Sequence, residues 1–203
     1  MERNVIPFMN PTTQILNFCT ENLNKVKEVQ SVFASALPEI KIAQNPIKLT
    51  EIQAETLEEV ALFKSQSIQD KIKPPFFIED AGFFVDDHLH GFPGVYSHYV
   101  METIGCQGIL ALMDGKSDRR AHFEAVIAYM DEGKNIYLFK GENKGSVALE
   151  QRGTSGFGFD PIFISSDTPR KTFAEIGLEE KNKISHRRRA LEKFIEFLKS
   201  HPL

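Results

Sequence analysis

Two acidic residues at the end of an apolar stretch are the first candidates for chemistry in this 203-residue sequence. Glu79 and Asp80 close the segment FFIED, and Glu51 precedes a predicted helix. In open α/β sheets, ligands tend to bind beyond the carboxyl ends of strands. Carboxylates placed there can hold Mg²⁺ together with substrate phosphates. The alternative is that they are surface acids or partners of a helix dipole.

A second candidate group lies in TENLNK, residues 20–25, where a predicted strand runs directly into a predicted helix. Unpaired backbone N–H groups at such a turn favour anions. Thr20, Asn22 and Lys25 could add a hydroxyl, an amide and a charge for phosphates. The P-loop pattern GxxxxGK[ST] is absent from the sequence. A helix N-cap rich in asparagine is the alternative.

The last predicted helix begins with His186 and three arginines. At about 100° per residue, Arg187 lies near the centre of the apolar stripe of this helix, whereas Arg189 points to the opposite side and is predicted to be solvated. A buried guanidinium needs acceptors. Arg187 is therefore predicted either to form structural ion pairs or, with His186, to present donors to a ligand. The stripe consists of Ala190, Leu191, Phe194, Ile195 and Leu198.

The loop RGTSGFGFDP, residues 152–161, places glycines around two aromatic residues, Phe157 and Phe159. Glycine allows the backbone to approach a flat ligand closely, and an aromatic ring can stack on such a ligand. A tight loop that contributes two phenylalanines to the core is the alternative.

Composition limits the classes of function. The 24 basic and 28 acidic residues give a net charge of −4, whereas a duplex-binding domain carries a broad basic face. A nucleic-acid-binding protein that uses the run 187–189 is the rival class, and we predict no nucleic-acid partner. The N-terminal residues do not resemble a signal peptide, and no apolar run reaches the roughly 18 residues of a membrane span. The two cysteines show no metal-binding spacing. A cytoplasmic protein without a membrane partner is predicted.

The order of predicted elements indicates a mixed α/β fold with a long twisted central sheet and helices on both sides. The predicted strands are QILNFC, FFIED, AHFEAVIAYM, the stretch NIYLFKGENKGSVALE and IFI, with turns at 131–134 and 142–145. Helices are predicted after TENLNK, over 56–70 with a capping box at Thr56 and Glu59, over 102–114 and at the C-terminus. Thr172 and Glu175 indicate a short capped turn. We predict one domain, 1–203, in which residues 1–14 precede the first strand.

Considered together, these segments resemble the inosine triphosphate pyrophosphatase family, whose members hydrolyse non-standard purine nucleoside triphosphates to the monophosphate and pyrophosphate. The resemblance extends from about Ile15 to the final helix. It rests on motifs in a fixed order: TENLNK, EIQ, EDAGFFVD with GFPGVYS, GFGFDPIF, TFAE, EEKN and SHR. It implies two lobes around a cleft, a homodimer, Mg²⁺ as cofactor and a purine nucleoside triphosphate as substrate.

The resemblance also implies roles for particular residues. Glu51 and Asp80 would hold Mg²⁺, and Asp80 would help to activate the attacking water. The phosphates would be bound by Thr20, Asn22, Lys25, Lys64 and Lys181. The base and sugar pocket would comprise Phe157, Gly158, Phe159, Asp160, Ser185, His186 and Arg187, with His186 and Arg187 reading the base edge. The looser matches are His98, Glu79 and Ala81.

Two positions depart from the family pattern. Glu21 stands where the family commonly has glycine in its phosphate turn, which places a carboxylate near the triphosphate. Ala81 stands where Ser or Thr commonly follows the acidic pair, which removes one hydroxyl contact to the phosphates. Neither position is a proposed metal ligand or cation, so activity is expected to survive. A pyrophosphatase for other nucleotides, such as modified pyrimidines, is the nearer rival, and a substrate panel distinguishes the two.

Overall fold

Seven strands form one mixed sheet in the computed structural model, which describes residues 13–203. Most of the predicted N-terminal extension, residues 1–12, lies outside the described residues. The strands are β1 (Gln14–Cys19), β2 (Ile40–Asn45), β3 (Phe76–Val85), β4 (Pro93–Gly94), β5 (Arg120–Met130), β6 (Ile136–Val147) and β7 (Phe163–Ser165). The helices are α1 (Leu23–Ala36), α2 (Leu57–Ile68), α3 (Ser97–Thr103), α4 (Gly105–Leu112), α5 (Phe173–Ile184) and α6 (His186–Ser200).

The two ends of strand β3 pair with different strands on the same edge of β3. The sheet order is β2-β1-β3-β5-β6-β7, and β4 also pairs with β3. On one edge, β1 runs parallel to β3 at Phe76 and Phe77, and β4 runs antiparallel at Phe83 and Phe84. Within residues 13–203 no strand covers that edge between 78 and 82, whereas β5 pairs along the whole opposite edge. The sheet therefore has a gap beside the middle of β3.

The prediction that Glu79 and Asp80 end their strand was wrong, because β3 continues to Val85. The residues after the acidic pair include Phe83, Phe84 and Val85, and β5 pairs with all three. The two carboxylates thus lie in the middle of a strand, beside the gap.

Helices pack on both faces of the sheet, which confirms the predicted mixed α/β architecture. Successive side chains of a strand point to opposite faces. Phe77 packs with residues of α1 and α6, while Phe76 and Ile78 pack with residues of α2. By the same alternation, Glu79 points toward α1 and α6, and Asp80 points toward α2. Neighbouring carboxylates therefore belong to different faces.

Several element boundaries differ from the prediction. Strand β2 was not predicted, and it pairs in parallel with β1 along its whole length. The predicted turn at 142–145 was wrong, because β6 pairs with β5 continuously from Ile136 to Ser146. The glycines that suggested the turn instead permit close packing. A Cβ at Gly141 would lie 2.2 Å from the carbonyl oxygen of His186, and one at Gly145 would lie 2.1 Å from that of Ile164.

The helices differ from the prediction at two places. The predicted helix over 102–114 is two helices, α3 and α4, which are separated by Ile104, and α4 begins at Gly105, whose φ is +58°. The capping box of Thr172 and Glu175 is present, but it opens the helix α5 rather than a short turn. The capping box of α2 was predicted correctly. None of the helices between residues 13 and 203 has the length and hydrophobicity needed to cross a membrane.

Candidate active site

A cleft of about 560 Å³ opens at the gap beside β3. Its size is typical of small-molecule sites, which span roughly 300–1,000 Å³. The walls come from the β1–α1 turn, β3, α2, α3, the loop after β6, α5 and α6. Of the residues predicted for the site, all but Ser185 line this cleft: Thr20, Asn22, Lys25, Glu51, Lys64, Glu79, Asp80, Ala81, His98, Phe157, Gly158, Phe159, Asp160, Lys181, His186 and Arg187.

Asp80 and Glu51 share one cation on the α2 face of the sheet. The ammonium nitrogen of Lys64 lies 2.5 Å from Asp80 Oδ2 and 2.7 Å from Glu51 Oε2. The Lys64 side chain is buried, whereas that of Glu51 is 61% exposed. Burial alone would lower the pKa of Lys64, but the two carboxylates outweigh burial and raise it. Lys64 is therefore protonated, and its ammonium group brings the carboxylates of Asp80 and Glu51 close together.

The donor set at this point fits Mg²⁺. Two carboxylate oxygens already converge on one cationic group, and Mg²⁺ is commonly bound by one or two carboxylates together with substrate phosphates. Among residues 13–203 there is no cluster of three or more acidic, histidine or cysteine ligands. Glu51 and Asp80 would hold the ion, and Lys64 would then be released toward the phosphates.

The β1–α1 turn is organised by its own side chains. Asn22 is the N-cap of α1, and its Oδ1 accepts the backbone N–H groups of Asn24 and Lys25. Thr20 Oγ1 accepts the N–H of Asn22 at 3.1 Å. Lys25 reaches across the gap, where its ammonium donates to the Glu79 carbonyl at 3.1 Å and pairs with Glu79 Oε2 at 2.7 Å. The N-cap interpretation of this turn is thus confirmed, and the same turn faces the cleft.

Arg187 lies on the opposite face of the sheet within a network of buried charges. Only 2% of its side chain is exposed. Its Nε and Nη2 donate to Glu79 Oε1 at 3.0 and 2.9 Å, and its Nη1 donates to Glu28. The two carboxylates outweigh burial and raise the pKa of the guanidinium. The structural ion pair proposed for Arg187 is therefore present, and the residue still lines the cleft.

Glu28 is a functional candidate that sequence reasoning missed. It lies on the buried face of α1, is 3% exposed, and contacts both Arg187 and Lys181. Burial alone would raise its pKa, but Arg187 and Lys181 outweigh burial and lower it. A signal was available, because Glu28 falls between Val26 and Val29 on the apolar face of a predicted helix. A carboxylate at such a position requires a buried partner.

Lys181 lies with the residues predicted for the base and sugar pocket. Its ammonium is 2.7 Å from Asp160 Oδ2, 3.4 Å from Glu28 Oε1 and 4.5 Å from the centre of the Phe157 ring. Burial raises the pKa of Asp160, and Lys181 only partly offsets this effect. Asp160 Oδ2 also accepts the backbone N–H of Phe157 at 2.9 Å. Lys181, Asp160 and the Phe157 loop therefore form one connected unit.

The other residues predicted for the base and sugar pocket, called base-side residues below, divide between the cleft and the core. His186 is 3% exposed and stacks on Phe123 at 4.7 Å, and its Nδ1 has no hydrogen-bond partner within residues 13–203. Burial, then Arg187 and Lys181, hold the pKa of His186 well below its usual range, so its ring is neutral. The Phe159 ring is 3% exposed and stacks on Phe83 in the core. Phe157, which is half-buried, is the ring open to a ligand.

Two other predicted residues have structural contacts. Ser185 is buried, caps α6 and accepts the N–H of Arg188 at 3.1 Å. Arg189 was predicted to be solvated, and its side chain is 41% exposed. Its guanidinium donates to the Glu142 carbonyl and to Asp167 at 2.7 and 2.6 Å, because α6 lies directly against β6 at Gly141.

Comparison with known proteins assigns the family. The family model described as "Ham1 family" matches residues 16–197 of this chain. This protein belongs to the Ham1 family. The dITP/XTP pyrophosphatase of Thermococcus kodakarensis is 48% identical over 186 residues, covering 92% of this chain and 98% of that protein. The dITP/XTP pyrophosphatase of Pyrococcus horikoshii is 49% identical over 182 residues, covering 90% and 95%.

Solved Ham1 structures share the fold. A HAM1 protein from Coxiella burnetii superposes with a TM-score of 0.78 at 29% identity, covering 92% of this chain and 99% of that chain. The Staphylococcus aureus Ham1 protein superposes with a TM-score of 0.75 at 29% identity, covering 91% and 99%. The long mixed sheet of this Ham1 chain is therefore the architecture of the family.

The two positions that depart from the family pattern both line the cleft of this Ham1 protein. Glu21 lines the cleft and is exposed, and its backbone does not adopt a positive φ, so the turn does not require glycine there. Ala81 also lines the cleft and is half-buried.

Proposed function

We propose that this Ham1 protein is a nucleoside-triphosphate pyrophosphatase that hydrolyses ITP, dITP and XTP to the nucleoside monophosphate and pyrophosphate, and so removes non-standard purines from the nucleotide pool. One observation carries the proposal: the phosphate-turn candidates, the Asp80–Glu51 pair and the buried base-side charges all line one cleft, although they are far apart in sequence. The names of the relatives, dITP/XTP pyrophosphatases at 48% and 49% identity, support the same substrates.

Asp80 would be the catalytic carboxylate. When bound at Asp80 and Glu51, Mg²⁺ supplies charge neutralisation at phosphate oxygens and a more acidic water. Asp80 would orient that water by accepting its hydrogen bond. The water oxygen would attack the α-phosphorus, the bond from the α-phosphorus to the bridging oxygen would break, and the water proton would pass through Asp80 to solvent. Lys25 and Lys64 would offset the charge on the departing pyrophosphate.

Base choice would follow from the donors of Arg187 and the neutral ring of His186. A guanidinium has five N–H donors, and Glu28 and Glu79 engage three of them. The remaining donors suit the oxygen at position 6 of hypoxanthine and xanthine. Adenine presents an amino group there, a mismatch that costs roughly 1–3 kcal/mol. Guanine shares the position-6 oxygen, so rejection of GTP requires contacts near its 2-amino group.

Hydrolysis of ITP, XTP, GTP, ATP and modified pyrimidine nucleoside triphosphates in the presence of Mg²⁺, with pyrophosphate and orthophosphate measured separately, tests the proposal. We expect pyrophosphate from ITP and XTP and little from ATP and GTP. Release of orthophosphate, or pyrophosphate only from modified pyrimidine nucleotides, would replace the proposed activity with another. Salt-dependent binding of single-stranded nucleic acid without hydrolysis would favour the rival class. Omission of Mg²⁺ from the same assay tests the cofactor.

We also propose a homodimer, which the family resemblance implies, and a cytoplasmic location, which the composition of the sequence predicts. Sedimentation equilibrium at several concentrations measures the first, and cell fractionation measures the second. A monomer at all concentrations, or recovery in the membrane fraction, would contradict them.

A further inference from the structure

Asn143, a buried asparagine of β6, contacts the junction between α5 and α6. Its side chain is fully buried. Its Nδ2 donates to the carbonyl oxygen of Ile184 and to Asp167 Oδ2, each at 2.8 Å. Because both partners are acceptors, the orientation of the amide is fixed. The side chain therefore joins strand β6 to the point where α5 ends and α6 begins.

The Ile184 carbonyl is a point at which α5 needs an outside donor. The last four carbonyls of a helix have no intrahelical partner, and Ile184 is the last residue of α5. Lys181 lies three residues before it and His186 two residues after it. The position of Ile184 therefore sets where both helices present their base-side groups.

Two other contacts hold the junction between α5 and α6. Gly141, two residues before Asn143 on the same face of β6, allows α6 to approach so closely that a Cβ would lie 2.2 Å from the His186 carbonyl oxygen. Phe123 is the cross-strand partner of Asn143, and its ring stacks on that of His186 at 4.7 Å. These two contacts fix the start of α6, and Asn143 fixes the end of α5.

We propose that Asn143 is a positioning residue for base recognition, an inference that rests on the proposed function. It holds the α5–α6 junction so that Lys181, His186 and Arg187 keep their places in the cleft. The Asp80–Lys64 pair belongs to β3 and α2, and the phosphate turn belongs to α1. Loss of the Asn143 amide is therefore expected to weaken binding of the correct base more than it slows the chemical step.

Kinetics of Asn143→Ala and Asn143→Ser with ITP and ATP test this inference. In Asn143→Ala we expect the KM for ITP to rise about tenfold with kcat nearly unchanged, and the preference for ITP over ATP to fall about tenfold, or 1.4 kcal/mol. Asn143→Ser keeps a hydroxyl donor and should recover part of the preference. Lys144→Ala, in the exposed next residue of β6, is the matched control, because its side chain lies outside the cleft. Its preference should equal that of wild type.

The inference would be overturned if folded Asn143→Ala kept the wild-type preference, or if all substrates slowed equally with an unchanged KM. Should Asn143→Ala fail to fold in thermal denaturation, Asn143→Leu, which fills the space but has no donor, decides by the same criteria. Calorimetric binding of inosine and adenosine monophosphates to the same proteins separates this inference from the proposed function. Wild type that releases no pyrophosphate would refute the function, while a loss of inosine preference in the variants would still support the role of Asn143.

Discussion

At the scale of single residues, the adjacent carboxylates of Glu79 and Asp80 have different roles, because successive side chains of a strand point to opposite faces of the sheet. Glu79 is fully buried and is engaged by Arg187 and Lys25, so it holds the base-side network together. Asp80 faces α2, where it shares the ammonium group of Lys64 with the exposed Glu51. The side chain of Asp80 is 14% exposed at the cleft, whereas that of Glu79 is fully buried, which makes Asp80 the candidate for chemistry.

Asp80→Asn is expected to lower kcat for ITP by about 10³-fold, within the usual range for loss of a general base. The amide cannot accept the water proton and is a weaker metal ligand. The fold should persist because the side-chain volume is unchanged. Asp87→Asn, in an exposed acid two residues after the same strand, is the control and should retain activity. Turnover near the wild-type rate in folded Asp80→Asn would remove this residue from the mechanism.

Glu28→Gln is expected to destabilise the protein by about 3 kcal/mol at neutral pH, because it leaves the buried Arg187 without one of its charges. The pKa of Glu28 is lowered from 4.5 in the folded state. Its stabilisation is therefore fully present above pH 4.5 and is lost as the pH falls through the lower folded pKa. Urea unfolding at a series of pH values should show the difference between wild type and variant shrinking in acid.

The matched control for that experiment is Glu196→Gln, in an exposed carboxylate that pairs with Lys199 on α6. It should unfold like wild type at every pH, since exposed pairs contribute little. A difference between wild type and Glu28→Gln that stayed constant into acid would contradict the role assigned to the Glu28 charge.

At the scale of elements, the base-side wall depends on close contact between β6 and α6. Gly141→Ala would place a methyl group 2.2 Å from the His186 carbonyl oxygen and 2.3 Å from the Ala190 nitrogen. We expect a loss of about 1–3 kcal/mol in unfolding free energy, as for other overpacked sites, together with a higher KM for ITP. Gly133→Ala is the control, because its Cβ meets only the side chains of Asn135 and Asp131. Equal stability of the two variants in thermal denaturation would contradict the contact.

Local signals in the sequence predicted elements correctly where side chains close together in sequence determine the backbone conformation. The capping boxes at Thr56 and Thr172 and the apolar stripe of the last helix are such signals, and all three are present. The glycines of β6 misled because glycine occurs both in turns and where elements pack closely. Only the positions of α6, beside Gly141, and of β7, beside Gly145, distinguish these uses. Strand β2 escaped notice because its pairing with β1 is a tertiary contact.

At the scale of the whole molecule, the cleft exists because β1 and β4 cover different parts of one edge of β3. The sequence contained the candidate site residues, and a pattern of motifs indicated a common site. Their division between two faces of the sheet, and the burial of Glu28 among them, depend on strand register and helix packing. Neither can be derived from spacing along one chain.

Ligand binding in a cleft built from so many elements should stabilise the entire fold. At a concentration of inosine monophosphate about 100 times its Kd, the expected gain is about 2.7 kcal/mol, or about 5–10 °C in Tm for a chain of this size. Adenosine monophosphate at the same concentration should give a smaller shift. Thermal denaturation followed by circular dichroism measures both. Equal shifts would contradict base recognition by Arg187 and His186.

The central claim is that water attacks the α-phosphorus of a non-standard purine triphosphate bound in this cleft. Hydrolysis of ITP in water enriched in ¹⁸O, followed by mass spectrometry of the products, tests it most directly. The account predicts one ¹⁸O atom in inosine monophosphate and none in the pyrophosphate released. Label in pyrophosphate, or release of labelled orthophosphate, would place the attack at another phosphorus and contradict the assignment of Asp80 and its neighbours.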